Sequence, residues 1–142
     1  MKMSLKLPSR LELIPEFILK ILQGLKKEIQ LTDEQVFQIR LVLEESLTNA
    51  IKHGNEHNQN LTVDVAVAME DSRLMIEVKD QGKGFDYNNI PDPTQKEKLF
   101  LTSGRGVFLI KKIMDEVNFF DSGSRIRMVK ILRKNKDFVK KG

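Results

Sequence analysis

The spacing of hydrophobic residues changes several times along the chain, and each change predicts a new secondary structure element. Near the N-terminus, Met3, Leu5 and Leu7 alternate with polar residues, which predicts a short strand. Apolar residues then recur with a helical period as far as Ile29: Ile14, Phe17, Ile18, Ile21, Leu22, Leu25 and Ile29. Pro15 falls in the first turn of this predicted helix, where a missing amide hydrogen is harmless.

A second helix is predicted to begin after Thr32, because Thr32 and Gln35 have the spacing of a capping box. Six apolar residues then define one buried face: Val36, Ile39, Leu43, Leu47, Ala50 and Ile51. We expect this helix to stop near His53 and Gly54, with Gly54 in the left-handed conformation that glycine adopts readily after a helix.

Two strands with strict alternation follow, and the turn around Asp71 joins them as a hairpin. The first strand points five residues one way: Leu61, Val63, Val65, Val67 and Met69. In the second strand, Leu74, Ile76 and Val78 alternate with Met75, Glu77 and Lys79. Residues 81–104 show no clear period and hold three of the eight glycines, which predicts a functional loop or lid.

The C-terminal part of the chain predicts a third helix from about Gly106 to Glu116, followed by two strands over residues 117–121 and 125–132. Together these elements predict an α+β fold in two layers. The helices pack on one face of a mixed, largely antiparallel sheet.

Composition excludes several classes of protein. With 142 residues, 40% hydrophobic and 31% charged, the chain is expected to form one globular domain rather than a disordered segment. The absence of cysteine excludes disulfides, thiolate metal sites and a cysteine nucleophile. No apolar run approaches the length of a transmembrane helix, and the first ten residues lack the apolar stretch of a secretory signal. We therefore expect a cytoplasmic protein.

The positive charge of the chain is concentrated at its end. Residues 130–142 carry six basic side chains and one acidic side chain, so this segment contributes +5 to a net charge of +4. A short basic tail is more often solvated than bound to nucleic acid, and direct nucleic-acid binding is not expected. We divide the chain into one domain over residues 1–132 and a basic tail over residues 133–142.

Three stretches of the sequence carry residues suited to catalysis or ligand binding, and the first lies on the second predicted helix. Glu45, Asn49 and His53 are four residues apart and so share one stripe of that helix. Glu45 could accept a proton there, and the amide oxygen of Asn49 could bind Mg²⁺. The alternative is a solvated polar face with ordinary contacts. Glu44 lies about 100° away around the helix and is interpreted as an acid at the surface or one that acts on the site through another residue.

The second stretch, Asp80-Gln-Gly82-Lys-Gly84, directly follows a predicted strand. Glycines at this spacing let the backbone turn sharply and approach a ligand, and Asp80 could accept a hydrogen bond from an exocyclic amine. The alternative is a plain turn that begins with an aspartate. This stretch is not a Walker A loop, because the Gly-Lys-Ser/Thr ending is missing.

The third stretch places Gly104, Arg105, Gly106 and Val107 at the start of the third predicted helix. Free amide groups and the positive end of the helix dipole suit phosphate groups at such a position. The alternative is a linker followed by an ordinary helix start. The three stretches together, in this order, are much less expected by chance than any one of them.

The three stretches resemble the nucleotide-binding boxes of the GHKL (gyrase, Hsp90, histidine kinase, MutL) ATPase superfamily. The motif from Glu45 through Asn49 to His53-Gly54 resembles the N box. Asp80-x-Gly82-x-Gly84-Phe85-Asp86 resembles the G1 box, and residues 104–109 resemble the G2 box. The short chain and the stretch that follows the G2 box are most similar to the anti-sigma-factor serine/threonine kinases of bacterial partner switching.

This resemblance implies a Bergerat-type α/β sandwich that holds ATP and Mg²⁺. It implies that Glu45 is the catalytic base and that Asn49 coordinates Mg²⁺. The remaining implied nucleotide-binding residues are His53, Asp80, Gly82, Gly84, Gly104, Arg105, Gly106, Val107 and Ser124. Among these, Asp80 would read the adenine amino group.

The resemblance also implies an activity and partners. The kinase would phosphorylate a small STAS-domain antagonist, would bind a sigma factor, and would form a homodimer. The family usually has Gly-Thr-Thr on its last strand, whereas this chain has Gly123-Ser124-Arg125, which puts the last polar contact to the base in question. The rival interpretation is an ATP-binding module that sequesters a partner without phosphoryl transfer.

Overall fold

The computed structural model describes residues 1–82 and 106–132, in which five strands form one sheet. The strands are β1 (Lys2–Pro8), β2 (Thr62–Glu70), β3 (Arg73–Lys79), β4 (Glu116–Phe120) and β5 (Arg125–Ile131). Their order across the sheet is β1-β2-β3-β5-β4, and all four pairings are antiparallel. The described sheet is therefore antiparallel throughout, in line with the expectation of a largely antiparallel sheet.

In the described part of the chain, three α-helices accompany the sheet: α1 (Ile14–Glu28), α2 (Asp33–Asn49) and α3 (Gly106–Ile113). The predicted capping box is confirmed. The Gln35 amide donates to Thr32 Oγ1 at 3.0 Å, and the Thr32 amide donates to Gln35 Oε1 at 2.9 Å. Pro15 lies in the first turn of α1, as predicted. α2 packs against both α1 and α3 and so forms the centre of the helical layer.

The core lies between the helices and one face of the sheet. In β2 and β3 the predicted alternation is confirmed, since Val63 to Met69 and Leu74 to Val78 are buried at every second position. The helices contribute apolar side chains that are almost fully buried: Ile18, Ile21, Leu22, Leu25, Ile39, Leu43, Leu47 and Ile51. The outer face of the sheet carries charged side chains such as Asp64 and Glu77. The α+β prediction with helices on one face is confirmed.

The end of α2 differs from the sequence prediction. The helix continues into one wider π-helical turn over Ala50–Gly54, closed by the Asn55 amide donating to the Ala50 carbonyl at 2.8 Å. The left-handed residues come later, at Glu56 and His57, so the expected left-handed conformation at Gly54 is wrong. A π turn commonly marks a functional site.

α3 ends at Ile113 rather than near Glu116, because the chain has already joined the sheet at that point. The Asp115 amide donates to the Val129 carbonyl at 2.8 Å, and Glu116 begins β4. Most of the loop predicted over residues 81–104, from residue 83 onward, and the basic tail over residues 133–142 lie outside the described residues. Nowhere in residues 1–82 and 106–132 is there a helix of the length and apolar character needed to cross a membrane.

Candidate functional site

A cavity of about 460 Å³ lies between the C-terminal half of α2, the start of α3 and the ends of β3 and β5. Its volume is within the range of small-molecule sites in proteins. The described residues that line it are Ser46, Asn49, Ala50, His53, Gly54, Asn55, Glu56, Asn58, Leu61, Val78, Asp80, Gln81, Gly82, Val107, Ile110, Phe119, Gly123, Ser124 and Ile126. The cavity thus joins residues of all three predicted stretches.

Asp80 contributes a buried carboxylate to the wall of this cavity, directly after β3. Its backbone amide donates to the Ser124 carbonyl at 2.9 Å, and its Oδ1 accepts the Gly82 amide at 2.8 Å. Two glycines make room for this carboxylate. A Cβ atom on Gly54 would overlap the Asp80 carboxylate, and a Cβ atom on Gly82 would overlap the Gly54 carbonyl oxygen. The end of α2 and the loop after β3 therefore meet at backbone contact distance.

Burial raises the pKa of Asp80 to about 6, and the hydrogen bond from the Gly82 amide only partly opposes that shift. Asp80 is only 8% exposed, so the charged form of its carboxyl group is poorly solvated. A ligand that donates a hydrogen bond to this carboxyl group would stabilise its ionised form.

We expect Asp80→Asn to stabilise the ligand-free protein at neutral pH. The folded state holds the Asp80 proton more tightly than the unfolded chain does, so ionisation costs stability above about pH 6. That cost is relieved as the pH falls through 6 toward the unfolded value near 4, and it amounts to at most about 3 kcal/mol. Denaturant titrations of the wild-type protein and Asp80→Asn at pH 4.5 and 7.5 measure this difference in the free energy of unfolding. If the stability of the two proteins depended on pH in the same way, the raised pKa of Asp80 would be contradicted.

The second part of the site is the junction between α2 and α3. A Cβ atom on Gly106 would lie 2.7 Å from Glu45 Oε2 and 3.1 Å from Asn49 Nδ2. Asn49 is buried and lines the cavity, whereas Glu45 is half-buried beside the cavity without lining it. The Glu45 carboxylate and the Asn49 carboxamide thus lie next to the first residue of α3, and the N-terminus of a helix favours an anion.

The electrostatics of Glu45 favour a proton acceptor. Burial and the neighbouring charge of Glu44 raise its pKa, while Lys52 lowers it in part. Glu44 itself is exposed, in agreement with its interpretation as a surface acid. A carboxylate with a raised pKa takes up a proton more readily than a solvated one does.

The turn that leads into β5 contributes Ser124 to the cavity, whereas Arg125, the first residue of β5, does not line it. Ser124 is buried and lines the cavity, with its hydroxyl donating to the Asp121 carbonyl at 3.0 Å inside its own turn. Arg125 is not part of the cavity lining. Its guanidinium bonds Glu77 at 2.7 Å and stacks over the Phe120 ring at 4.7 Å. The position at which the sequence departs from the family pattern therefore contributes an ion pair rather than a cavity wall.

The structure brings most of the predicted site residues together. His53, Gly82 and Val107 line the cavity, although His53 is exposed and Val107 is almost fully buried. Gly106 lies against Glu45 and Asn49 as described above. Gly84, Gly104 and Arg105 lie outside the described residues.

Sequence reasoning missed two kinds of site residue. Phe119 and Ile126, with Val78 and Ile110, provide apolar walls, but their alternation in the sequence was indistinguishable from that of ordinary core residues. Asn55 is buried to 2% exposure and lines the cavity, and the sequence singled it out in no way. A polar residue in a loop next to the Glu45–His53 motif was the signal that could have drawn attention to it.

A divalent cation would find few protein ligands here. Within residues 1–82 and 106–132, no three carboxylate or histidine side chains converge in a way that would hold a metal ion. Asn49 is buried at the cavity wall, and one amide oxygen suits Mg²⁺, which typically keeps its waters and binds substrate phosphates. The donor set of the described residues fits a cation that is held mainly by the phosphates of a nucleotide.

Comparison with known proteins identifies a family of ATPase domains and several related kinases and anti-sigma factors. Residues 7–130 match the family described as histidine kinase-like ATPase domain. The chain is 29% identical over 138 residues to the serine-protein kinase RsbW of Staphylococcus epidermidis, an alignment that covers 92% of this chain and 86% of the relative. It is 32% identical over 114 residues to the anti-sigma F factor of Anoxybacillus flavithermus, covering 74% and 75%. RsbW of Staphylococcus aureus (strain MSSA476) is 27% identical over 121 residues, covering 80% and 76%.

Proposed function

This chain belongs to the histidine kinase-like ATPase domain family, and on that premise we propose that it is an ATP-dependent serine kinase that acts as an anti-sigma factor. The relatives named as serine-protein kinase and as anti-sigma factor support the kinase activity and a sigma factor as partner. One structural observation carries the proposal. Glu45 and Asn49 lie against Gly106, next to a cavity that Asn49 and the buried Asp80 both line.

We propose that the cavity takes the adenine base. Val78, Ile110 and Phe119 offer apolar walls of the kind that an aromatic ring packs against. The Asp80 carboxylate accepts a hydrogen bond from the adenine amino group. The triphosphate then extends toward Gly106, at the positive end of α3. His53 supports this region from the π turn, and Gly84, Gly104, Arg105 and Ser124 complete the proposed nucleotide contacts.

We propose that Asn49 holds Mg²⁺ through its amide oxygen, with the nucleotide phosphates as the other ligands. Bound magnesium would neutralise charge on the phosphates and polarise the bond that breaks. Asn49 is well placed for this role, because it is buried at the cavity wall and its amide group lies against Gly106. Asn49→Ala should therefore reduce the gain in ATP affinity that magnesium produces, as read from titrations with and without the ion.

Transfer itself needs positioning and a proton acceptor more than covalent help. The hydroxyl oxygen of the partner's serine attacks the γ-phosphorus while the bond to the bridging oxygen breaks and ADP leaves. Glu45 accepts the hydroxyl proton, a role that its raised pKa favours. Amides at the start of α3 stabilise the charge that develops on the phosphoryl oxygens.

We propose a STAS-domain antagonist as the substrate and a homodimer as the functional form. The test is incubation of the full chain with γ-labelled ATP, magnesium and a STAS-domain protein from the same genome, with phosphate transfer followed by gel and mass spectrometry. Label on a serine or threonine of the STAS-domain protein is the expected result. ATP binding without any transfer would instead favour the module that sequesters its partner. Absence of ATP binding would overturn the proposal altogether.

A further inference from the structure

Three successive backbone amides at the start of the loop after β3 each have their own hydrogen-bond acceptor. The Asp80 amide donates to the Ser124 carbonyl at 2.9 Å, and the Gly82 amide donates to Asp80 Oδ1 at 2.8 Å. The Gln81 amide between them donates to Asn55 Oδ1 at 2.7 Å. The first of these acceptors lies in the turn before β5, and the second belongs to the loop itself. The third is a side chain from a different segment of the chain, 26 residues away in sequence.

The Asn55 side chain is itself fixed on both sides. Its amide nitrogen donates to Ser9 Oγ at 2.8 Å and to the Thr62 carbonyl at 3.1 Å, so both of its hydrogens are used. Its backbone amide closes the π turn at the Ala50 carbonyl. Asn55 is 2% exposed, and a buried network of this kind, with every group paired, is rigid.

The Gln81 side chain reinforces the same attachment from the opposite direction. Its Oε1 accepts the Thr62 amide at 2.6 Å and the Thr62 hydroxyl at 3.3 Å. Asn55, Thr62 and Gln81 therefore form a closed set of contacts between the end of α2, the start of β2 and the loop that carries Asp80. Bonds of this kind restrict the positions that the Asp80 carboxylate can adopt.

We propose that Asn55 is a positioning residue for base recognition, one that holds the Gln81 backbone and thereby aims Asp80 at the 6-amino group of a purine nucleotide. This inference rests on the proposed function, because it concerns the same cavity. Asn55 acts through Asp80 and makes no contact with the phosphates. Its loss should therefore weaken discrimination between bases more than it weakens binding of the nucleotide as a whole.

The experiment compares two nucleotides, ATP and purine riboside 5′-triphosphate, which lacks the 6-amino group. Calorimetric titration of the full-length chain gives the ratio of their dissociation constants. We expect the wild-type protein to favour ATP by about tenfold or more, as for a hydrogen bond to a charged acceptor. In Asn55→Ala the ratio should fall below about threefold.

Two control variants separate positioning from simple destabilisation. Ser9→Ala removes one partner of the Asn55 amide nitrogen and a buried hydroxyl, yet leaves the Asn55–Gln81 bond in place. Asn60→Ala changes an exposed asparagine of the same loop that does not line the cavity. Both should keep the wild-type ratio, even though Ser9→Ala lowers thermal stability. A wild-type ratio in Asn55→Ala, or an equal fall in Ser9→Ala, would overturn the inference.

A second measurement covers the case in which Asn55→Ala does not fold. Amide hydrogen exchange of the nucleotide-free wild-type protein should show the Gln81 amide protected, in contrast to the amide of exposed Gln59. Equal exchange of the two amides would overturn the inference. A wild-type protein that binds ATP but does not distinguish the two nucleotides would also overturn it and leave the proposed kinase intact. Absence of ATP binding would overturn the proposed function as well.

Discussion

Glu45→Gln should retain ATP binding and lose phosphoryl transfer by about two orders of magnitude or more. The substitution keeps the size and most contacts of the side chain at Gly106, but the amide cannot accept the hydroxyl proton. The expected result is an unchanged ATP dissociation constant by calorimetry and a transfer rate at least about 100-fold lower with labelled ATP.

Glu44 offers a matched control for this variant. It is the preceding residue on α2, carries the same group and is exposed. Its charge contributes to the raised pKa of Glu45, so Glu44→Gln should lower that pKa and change transfer by only a small factor. Transfer at the wild-type rate in Glu45→Gln would remove Glu45 from the proposed role. A loss of ATP binding in that variant would point to a contact with the nucleotide instead.

Gly54→Ala should weaken ATP binding by at least about tenfold, because the added methyl group would overlap the Asp80 carboxylate. Its Cβ atom would also lie 2.7 Å from the Asp80 Cβ atom, so rotation of the carboxylate alone does not relieve the clash. Gly54 does not have a positive φ, and alanine therefore causes no backbone strain there. The effect is confined to the place where α2 meets the loop after β3.

Gly24→Ala is the matched control for this second prediction. A Cβ atom there would meet only the end of the Met3 side chain, at 2.8 Å from Sδ and 3.0 Å from Cε, and that side chain can move. Gly24 lies inside α1, where alanine is favoured by up to about 1 kcal/mol, so this variant should bind ATP normally and unfold at a similar or higher temperature. Normal ATP affinity in Gly54→Ala would show that Asp80 is not needed at its present position.

Hydrophobic periodicity predicted the elements of the fold because most of them bury one face. The alternation from Val63 to Met69 and the helical period from Ile14 to Leu25 both correspond to burial in the structure. The end of α2 was predicted less well. Glycine at position 54 was read as a left-handed residue, whereas the structure uses it to let Asp80 approach. A glycine after a helix can either adopt a left-handed conformation or leave room for a neighbouring group. Which of the two applies depends on the residue that packs against it in the tertiary structure.

The candidate site was predicted only where it depends on residues close together in the sequence. Glu45 and Asn49 are four residues apart on a helix, so their proximity follows from local geometry. Their contact with Gly106 depends on how α3 packs on α2, which spacing does not describe. Phe119 and Ile126 were missed because a strand residue that lines a cavity alternates in the same way as one that fills the core.

The sequence alone determined the helices and strands, the apolar face of each, and three short stretches suited to binding a nucleotide, because these depend on residues close together along the chain. Only the tertiary structure decided which groups meet: Asp80 against Gly54, Glu45 against Gly106, and Asn55 against Gln81. The tertiary structure likewise decided that Arg125 pairs with Glu77 and does not line the cavity. Such contacts join segments that lie far apart in sequence, and the packing of helices on the sheet sets the distances between them.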